Sequence, residues 1–320
     1  MTGAAGFVGS HLCEALVGLG ADVTAMIRYS GRADWGNLEH VSAERRRALR
    51  VVSGSVEDAH FVLRATEGQE VVFHLAALIA IPYSYVAPTS YVHTNVVGTL
   101  NVLEAARAHR TPRVVHTSTS ETYGTALYTP IDEKHPLQGQ SPYSASKIGA
   151  DKLAESYWRS FDVPVATLRP FNAYGPRQSA RTVIPTIISQ ALTRKELHLG
   201  NLRPVRDLTF VADTVRAFLA IAGCDGAVGE TVNAASGEGI AIGDLAKLVL
   251  SMMSRELPIV LDPERVRPER SEVLELIADN RKARQLLGWQ PHTSLREGLA
   301  ETIEFIERNL GLFKPDVYGR

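Results

Sequence analysis

The chain opens Thr2-Gly3-Ala4-Ala5-Gly6-Phe7-Val8-Gly9, three glycines spaced three and three, and runs straight into a helical pattern, Ser10–Leu19. This start constrains the fold more than any other feature. Glycine lets backbone approach a pyrophosphate, whose charge then sits on the N-terminus of the helix that follows. An apolar β-branched run, Val23–Ile27, comes next, which is the context that separates such a loop from a plain glycine-rich turn. Gly3, Gly6, Phe7, Val8 and Gly9 are therefore expected to hold a pyrophosphate. A strand should precede Gly3, where only Met1 and Thr2 stand. The choice is between a missing central strand and a segment upstream of Met1, and the second is the expectation.

Further short apolar runs, Val51–Val52, Val71–Ala76, Val114–His116 and Val165–Leu168, alternate with helical stretches at Gly9–Leu19, Ser90–His109 and Ser144–Ser160. Strands alternating with helices predict an α/β fold, a doubly wound parallel sheet covered on both faces. Past Arg169 prolines punctuate shorter elements, and a final helix is expected from about Leu295 to Asn309. The expected organisation is a dinucleotide-binding domain over 1–168, with a return segment near 207–235, and a smaller C-terminal α/β substrate lobe over 169–320.

Composition narrows the partners. Of 320 residues 45% are hydrophobic and 22% charged, with a formal net charge of −1. No global field draws nucleic acid or an anionic membrane, so any phosphate must be held by local groups. Cys13 and Cys224 form no paired motif, which excludes a disulfide framework or zinc site and fits a reducing cytoplasm. No apolar run reaches the roughly 18 residues of a membrane span, and no signal peptide is evident. The run Glu44-Arg45-Arg46-Arg47 reads as a solvated helix face.

Tyr143-Ser144-Ala145-Ser146-Lys147 places a phenol and an ammonium at i and i+4, on one helix face. The ammonium is expected to lower the tyrosine pKa from about 10 toward neutrality, so that the phenolate can take a hydroxyl proton. Thr117-Ser118-Thr119-Ser120-Glu121 follows a strand, at the sheet edge where parallel sheets bind ligands. Thr119 can hydrogen-bond the hydroxyl that Tyr143 deprotonates, and Glu121 adds a second proton-transfer group. His74 and His116, on strands, read as packing residues.

The glycine loop, Thr119, Tyr143 and Lys147 resemble the extended short-chain dehydrogenase/reductase family over essentially the whole chain. His74-Leu75-Ala76-Ala77 resembles its post-strand cofactor segment, Asn95-Val96-Val97-Gly98-Thr99-Leu100-Asn101 its central helix, and Arg169-Pro170-Phe171-Asn172-Ala173-Tyr174-Gly175-Pro176 its nucleotide-sugar signature. The resemblance implies a Rossmann-type fold, NAD or NADP with NAD favoured, a nucleotide-diphosphate sugar as substrate, and a homodimer built on a four-helix interface. It adds Ser55, Val56, Leu75, Ala76, Ala77 and Asn95 to the expected cofactor contacts. The strand at Val23–Ile27 ends in Arg28 without the usual ribose-binding acid, which leaves a 2′-phosphate acceptable.

Oxidation of a sugar at C4 leads within this family to 4-epimerisation, to decarboxylation of a uronate, or to loss of water across C5 and C6. Only the last, 4,6-dehydration, needs a base at C5. Ser118-Thr119-Ser120-Glu121 is similar to the segment of GDP-mannose 4,6-dehydratases whose glutamate is that base, and also to UDP-glucuronate decarboxylases. It departs from dTDP-glucose 4,6-dehydratases, which carry aspartate as the acid where Ser120 stands, so Glu121 is expected to remove the C5 proton and deliver it to the departing oxygen. Ala80–Tyr85, Pro136–Tyr143 and Gly175–Arg181 resemble N-acetylglucosamine-nucleotide 4,6-dehydratases of legionaminic-acid pathways, which implies a UDP- or GDP-linked N-acetylhexosamine. Arg206 and Arg267 resemble the family's diphosphate-pairing arginines, and Tyr83, Asn172 and Arg181 complete the expected substrate contacts. Non-catalytic members that serve as dinucleotide sensors typically lose the tyrosine or lysine; here both are present. No metal is expected.

Overall fold

The protein is described by a computed structural model covering residues 1–31 and 34–313; residues 314–320 of the expected second lobe lie outside the described residues. Six parallel strands and a central bridge at Thr2 make the main sheet. Strands β1 (Val23–Ile27) and β2 (Leu49–Ser53) pair on one side. On the other, β3 (Val71–His74), β4 (Arg113–Thr117), β5 (Val165–Pro170) and β9 (Thr231–Ala234) pair in that order. Thr2 joins the halves, bridging Met26 and His74 in parallel, and the Met1 amine donates to the Thr24 carbonyl at 2.7 Å. The central strand that seemed missing is thus occupied by Met1 and Thr2.

The pleat explains why these strands read as unbroken apolar runs: neighbouring residues serve opposite faces. Val72, Val114 and Val165 pack with Val62, Val102, Leu103, Ala106, Ala154 and Tyr157. These come from α3 (Ala59–Thr66), α6 (Gly98–His109) and α7 (Pro142–Phe161). Phe73, Val115 and Ala166, one residue on, pack instead with Leu12, Val215, Phe218 and Ile221. Those belong to α1 (Phe7–Gly18) and α9 (Val211–Ala222). The chain therefore re-enters the first lobe through α9 and β9.

The expected helix at Ser90–His109 is present but not α-helical throughout. After α4 (Ile81–Val86) and α5 (Pro88–Tyr91), residues Val92–Val97 form a π-helical turn before α6 begins. A wide turn of this kind often marks a functional site, and here it carries Asn95. The arginine run behaves as expected: α2 (Ala43–Arg47) is solvated, with Arg46 on Glu39 at 2.7 Å.

The second lobe has its own core, in which α8 (Val183–Thr193), α10 (Ile242–Met252) and α12 (Leu295–Arg308) pack on small sheets. Strand β8 (Val205–Phe210) pairs with β6 (Asn172–Tyr174), β10 (Gly239–Ala241) and β12 (Glu275–Leu276), while β7 (Leu197–Leu199) pairs with β11 (Ile259–Leu261). Trp289, past α11 (Arg281–Leu287), donates its indole N–H to the Asp213 carbonyl at 3.0 Å, a structural contact.

Candidate active site

The candidate site residues of the first lobe follow the carboxyl ends of the main-sheet strands. The glycine loop comes first. Gly3 has φ of +70°, and a Cβ there would lie 2.7 Å from the Ala76 nitrogen; a Cβ on Gly9 would lie 2.2 Å from the Gly3 carbonyl oxygen. Both glycines are demanded by packing, Gly3 against Leu75 and Ala76 and Gly9 against the loop itself. Gly6 differs. It is exposed, its φ of −76° suits any residue, and a Cβ would meet only the Gly3 oxygen at 3.1 Å. It is also the N-cap of α1, and no side chain caps the helix. The bare helix end, with Phe7 and Val8 in its first turn, fits a pyrophosphate.

The other expected cofactor positions divide. Ala76 donates its N–H to Thr2 Oγ1 at 3.1 Å, which fixes the segment Leu75–Ala77 beside the loop. Ser55 is exposed past β2, while Val56 is buried and its carbonyl accepts from Asn101 at 2.9 Å. Arg28 is exposed at the end of β1. Asn95 is anchored within the protein: its Oδ1 accepts from Leu78 N–H at 2.8 Å, and its Nδ2 donates to the Leu78 carbonyl at 3.0 Å and to Ser146 Oγ at 2.9 Å. The amide ties the post-β3 loop to α7.

Tyr143 enters α7 at its first turn. Pro142 stands at N1, and Ser141 and Ser144 cap the helix reciprocally, which fixes the direction of entry. The ring lies edge-on to buried Tyr91, centroids 6.2 Å apart, and Tyr91 in turn donates to the Ala80 carbonyl. Thr119 caps the short turn Ser120–Tyr123, its hydroxyl accepting from Glu121 N–H at 3.3 Å. Ser120 and Glu121 are buried. Among the described residues no hydrogen bond reaches the Glu121 carboxylate, whose charge bears on both Tyr143 and Arg206.

The electrostatics run against one expectation: the Tyr143 pKa is raised and not lowered. Burial pushes the phenol pKa up, a hydrogen bond from Thr119 pulls against it, and the Glu121 and Asp151 carboxylates push it further up. The Lys147 ammonium donates to the Thr117 carbonyl at 2.6 Å. Burial, partly offset by Asp151, lowers the lysine pKa to about 8.

From the second lobe, Arg206 and Arg267 converge on Glu272 Oε1, each at 3.7 Å. Arg206 is buried and does not pair with its neighbour Asp207, which is engaged by Ser236, Gly237 and Ala278. Asn172 Oδ1 is buried with no hydrogen-bond partner among the described residues. Tyr83, 37% exposed, lies 6.2 Å from Tyr91 by ring centroids. Exposed Arg181 directs its charge at the same Tyr91. Tyr83 and Arg181 thus gather near Tyr91, and Arg206 and Arg267 meet at Glu272.

Two groups escaped the sequence. Glu272 between the arginines carries no motif. Asp151 had a signal, since Tyr143, Lys147 and Asp151 are spaced four and four along one helix face. It accepts from His116, Ser118 and Arg169. His116 is accordingly a structural histidine, as is His74, held between Thr2 and Thr99.

The GDP-mannose 4,6-dehydratase family profile matches residues 1–302. A UDP-glucose 4-epimerase of Mycolicibacterium smegmatis is 35% identical over 95% of this chain and 97% of its own length. The human dTDP-D-glucose 4,6-dehydratase is 30% identical over 98% and 91%. The crystal structure of DesIV, a dTDP-glucose 4,6-dehydratase from Streptomyces venezuelae solved with NAD bound, superposes with a TM-score of 0.86 at 30% identity, covering 98% of both chains. The chain belongs to the GDP-mannose 4,6-dehydratase family, among the extended short-chain dehydrogenase/reductase enzymes of the epimerase/dehydratase type.

Proposed function

We propose that the protein is an NAD(P)-dependent nucleotide-sugar 4,6-dehydratase that forms a 4-keto-6-deoxy sugar nucleotide. The observation that carries this reading is Glu121, a buried residue whose carboxylate has no hydrogen-bond partner among the described residues and whose charge bears on both the phenol of Tyr143 and the guanidinium of Arg206. A base so placed suits removal of a proton from the carbon next to the oxidised one.

When bound, the dinucleotide supplies the hydride acceptor for C4 oxidation and the hydride returned to C6. The bare N-terminus of α1 holds its pyrophosphate, and Leu75–Ala77 and Val56 wall the site. NAD is favoured because the DesIV relative carries it, and exposed Arg28, with no acid at the strand end, also accommodates NADP. Thr119 orients the C4 hydroxyl, and Tyr143, ionised beside the Lys147 ammonium, receives its proton. Glu121 takes the C5 proton and passes it to the C6 oxygen, which leaves as water, because Ser120 is too weak an acid. Arg206 and Arg267 pair with the sugar-linked diphosphate, Asn172 donates to it, and Tyr83 and Arg181 border the sugar. The substrate in this reading is a UDP- or GDP-linked N-acetylhexosamine. A second copy of the chain docks on the helices 88–109 and 142–161, where Val92, Val97 and Phe161 are exposed.

The 35% identical epimerase relative favours a second reading, 4-epimerisation, and uronate decarboxylation is the third. One experiment separates them. The purified protein is incubated with UDP-, GDP-, CDP- and dTDP-sugars and the products weighed by mass spectrometry. Dehydration removes one water, epimerisation changes no mass, and decarboxylation removes carbon dioxide. In Glu121→Gln the dehydratase accumulates the 4-keto sugar, whereas an epimerase turns over nearly unchanged.

A further inference from the structure

Next to the candidate site lies a buried charge cluster that the proposed chemistry does not use. Asp151 stands one turn past Lys147 on α7, on the face that Tyr143 and Lys147 share. Its Oδ1 accepts from His116 Nε2 at 2.9 Å, and its Oδ2 accepts from Ser118 Oγ at 2.5 Å and Arg169 Nη2 at 2.8 Å. Arg169 is fixed in turn, donating through Nε to Ser118 Oγ at 3.0 Å and through Nη1 to Tyr123 Oη at 2.7 Å. A carboxylate this deep is tolerated only when its lone pairs are matched, and two strands supply three donors to do so. Burial pushes the Asp151 pKa up, but the hydrogen bond from His116 and the charge of Arg169 hold it well below the usual carboxylate range.

Every charged or titratable group facing Lys147 can be named. From α7 come Tyr143 and Asp151, from β4 His116, from β5 Arg169 and from β3 His74. Burial lowers the pKa of both histidines, which leaves them neutral, and burial raises the pKa of Tyr143. Arg169 opposes a charge on Lys147, and Asp151 alone among these groups favours it.

We propose that Asp151 is a positioning residue: its carboxylate, pinned by His116, Ser118 and Arg169, is what keeps the Lys147 side chain an ammonium, while Arg169 both anchors that carboxylate and moderates its effect. This rests on the reading of Lys147 as the charged partner of Tyr143. The two buried charges therefore act on Lys147 with opposite sign, which a purely structural role for the cluster does not require.

The test is a ¹³Cε NMR titration of Lys147 in the full-length protein, without sugar or dinucleotide, with the resonance identified by its loss in Lys147→Arg. In Asp151→Asn the midpoint falls by about one pH unit or more, and in Arg169→Gln it rises by a similar amount. Unchanged midpoints, or shifts in the same direction, overturn the proposal. Should Asp151→Asn fail to fold with Arg169 left unpaired, Arg169→Gln decides alone, because Asp151 keeps two donors there. A midpoint that is unchanged or lowered in that variant overturns the proposal, and a raised one supports it. The titration involves no turnover, so opposite shifts in a protein that dehydrates no sugar would sink the proposed reaction and leave this inference standing.

Discussion

Tyr143 sits in a pocket whose charges oppose its ionisation: burial and two carboxylates raise its pKa, and one Thr119 hydroxyl works the other way. Ionisation of such a phenol calls for a nearby positive charge, which Lys147 one turn on would supply, and the C5 proton falls to Glu121. Glu121→Gln should lower kcat for dehydration by at least about 10²-fold, the usual worth of a positioned base, with little change in KM. Equal loss in kcat and binding, measured by steady-state kinetics, would place Glu121 in the fold and not in the chemistry. Glu272 makes the opposite prediction. It occupies the space between Arg206 and Arg267 that a diphosphate would share, so Glu272→Gln should tighten binding of a nucleoside diphosphate roughly tenfold, about 1.4 kcal/mol, by calorimetry. Weaker binding would mean that Glu272 serves to hold the arginines in place. At this scale Thr119, Tyr143 and Lys147 were legible because spacing and a strand end mark them. Glu272 was not, since its partners are 66 and 5 residues away and a single acid has no local signature.

Among the elements, the glycine loop separates structure from ligand binding within seven residues. Gly9→Ala forces a Cβ into backbone at 2.2 Å and should cost about 3 kcal/mol or more of stability. Gly6→Ala meets one oxygen at 3.1 Å in an exposed turn and should cost less than about 1 kcal/mol, yet block the approach of a pyrophosphate. Urea unfolding and dinucleotide binding measured on both variants check this; a Gly6→Ala protein that keeps full affinity would remove the loop from the cofactor site. Strands β1, β3, β4 and β5 could be read from their apolar runs because burial on both faces leaves no alternation to confuse the period. The π turn at Val92–Val97 could not, since tertiary contacts of Asn95 with Leu78 and Ser146 decide it.

The whole molecule depends on contacts between lobes that no local pattern encodes. Arg177 reaches from the second lobe to Glu14 at 2.6 Å, and His11 bonds the Pro176 carbonyl at 2.9 Å, which locks α1 to the substrate side. Burial lowers the His11 pKa to about 4 and also lowers those of His74 and His116. With folded pKa values below the unfolded value of about 6.5, the unfolded chain binds protons first, so stability is full above pH 6.5 and is lost as pH falls toward 4. His11 alone accounts for up to about 3 kcal/mol of that loss. His11→Gln should therefore flatten the decline in urea midpoint between pH 6.5 and 4; an unaltered slope would count against a buried neutral His11. The resemblance carried by the motifs gave family and fold, whereas the reaction turns on where one carboxylate lies in three dimensions. Turnover in D₂O tests that most directly. Loss of the C5 proton to Glu121 and return of a solvent proton predict a product that lacks one water and carries one deuterium at C5. A product of unchanged mass inverted at C4, or a dehydrated product without deuterium at C5, would contradict the account.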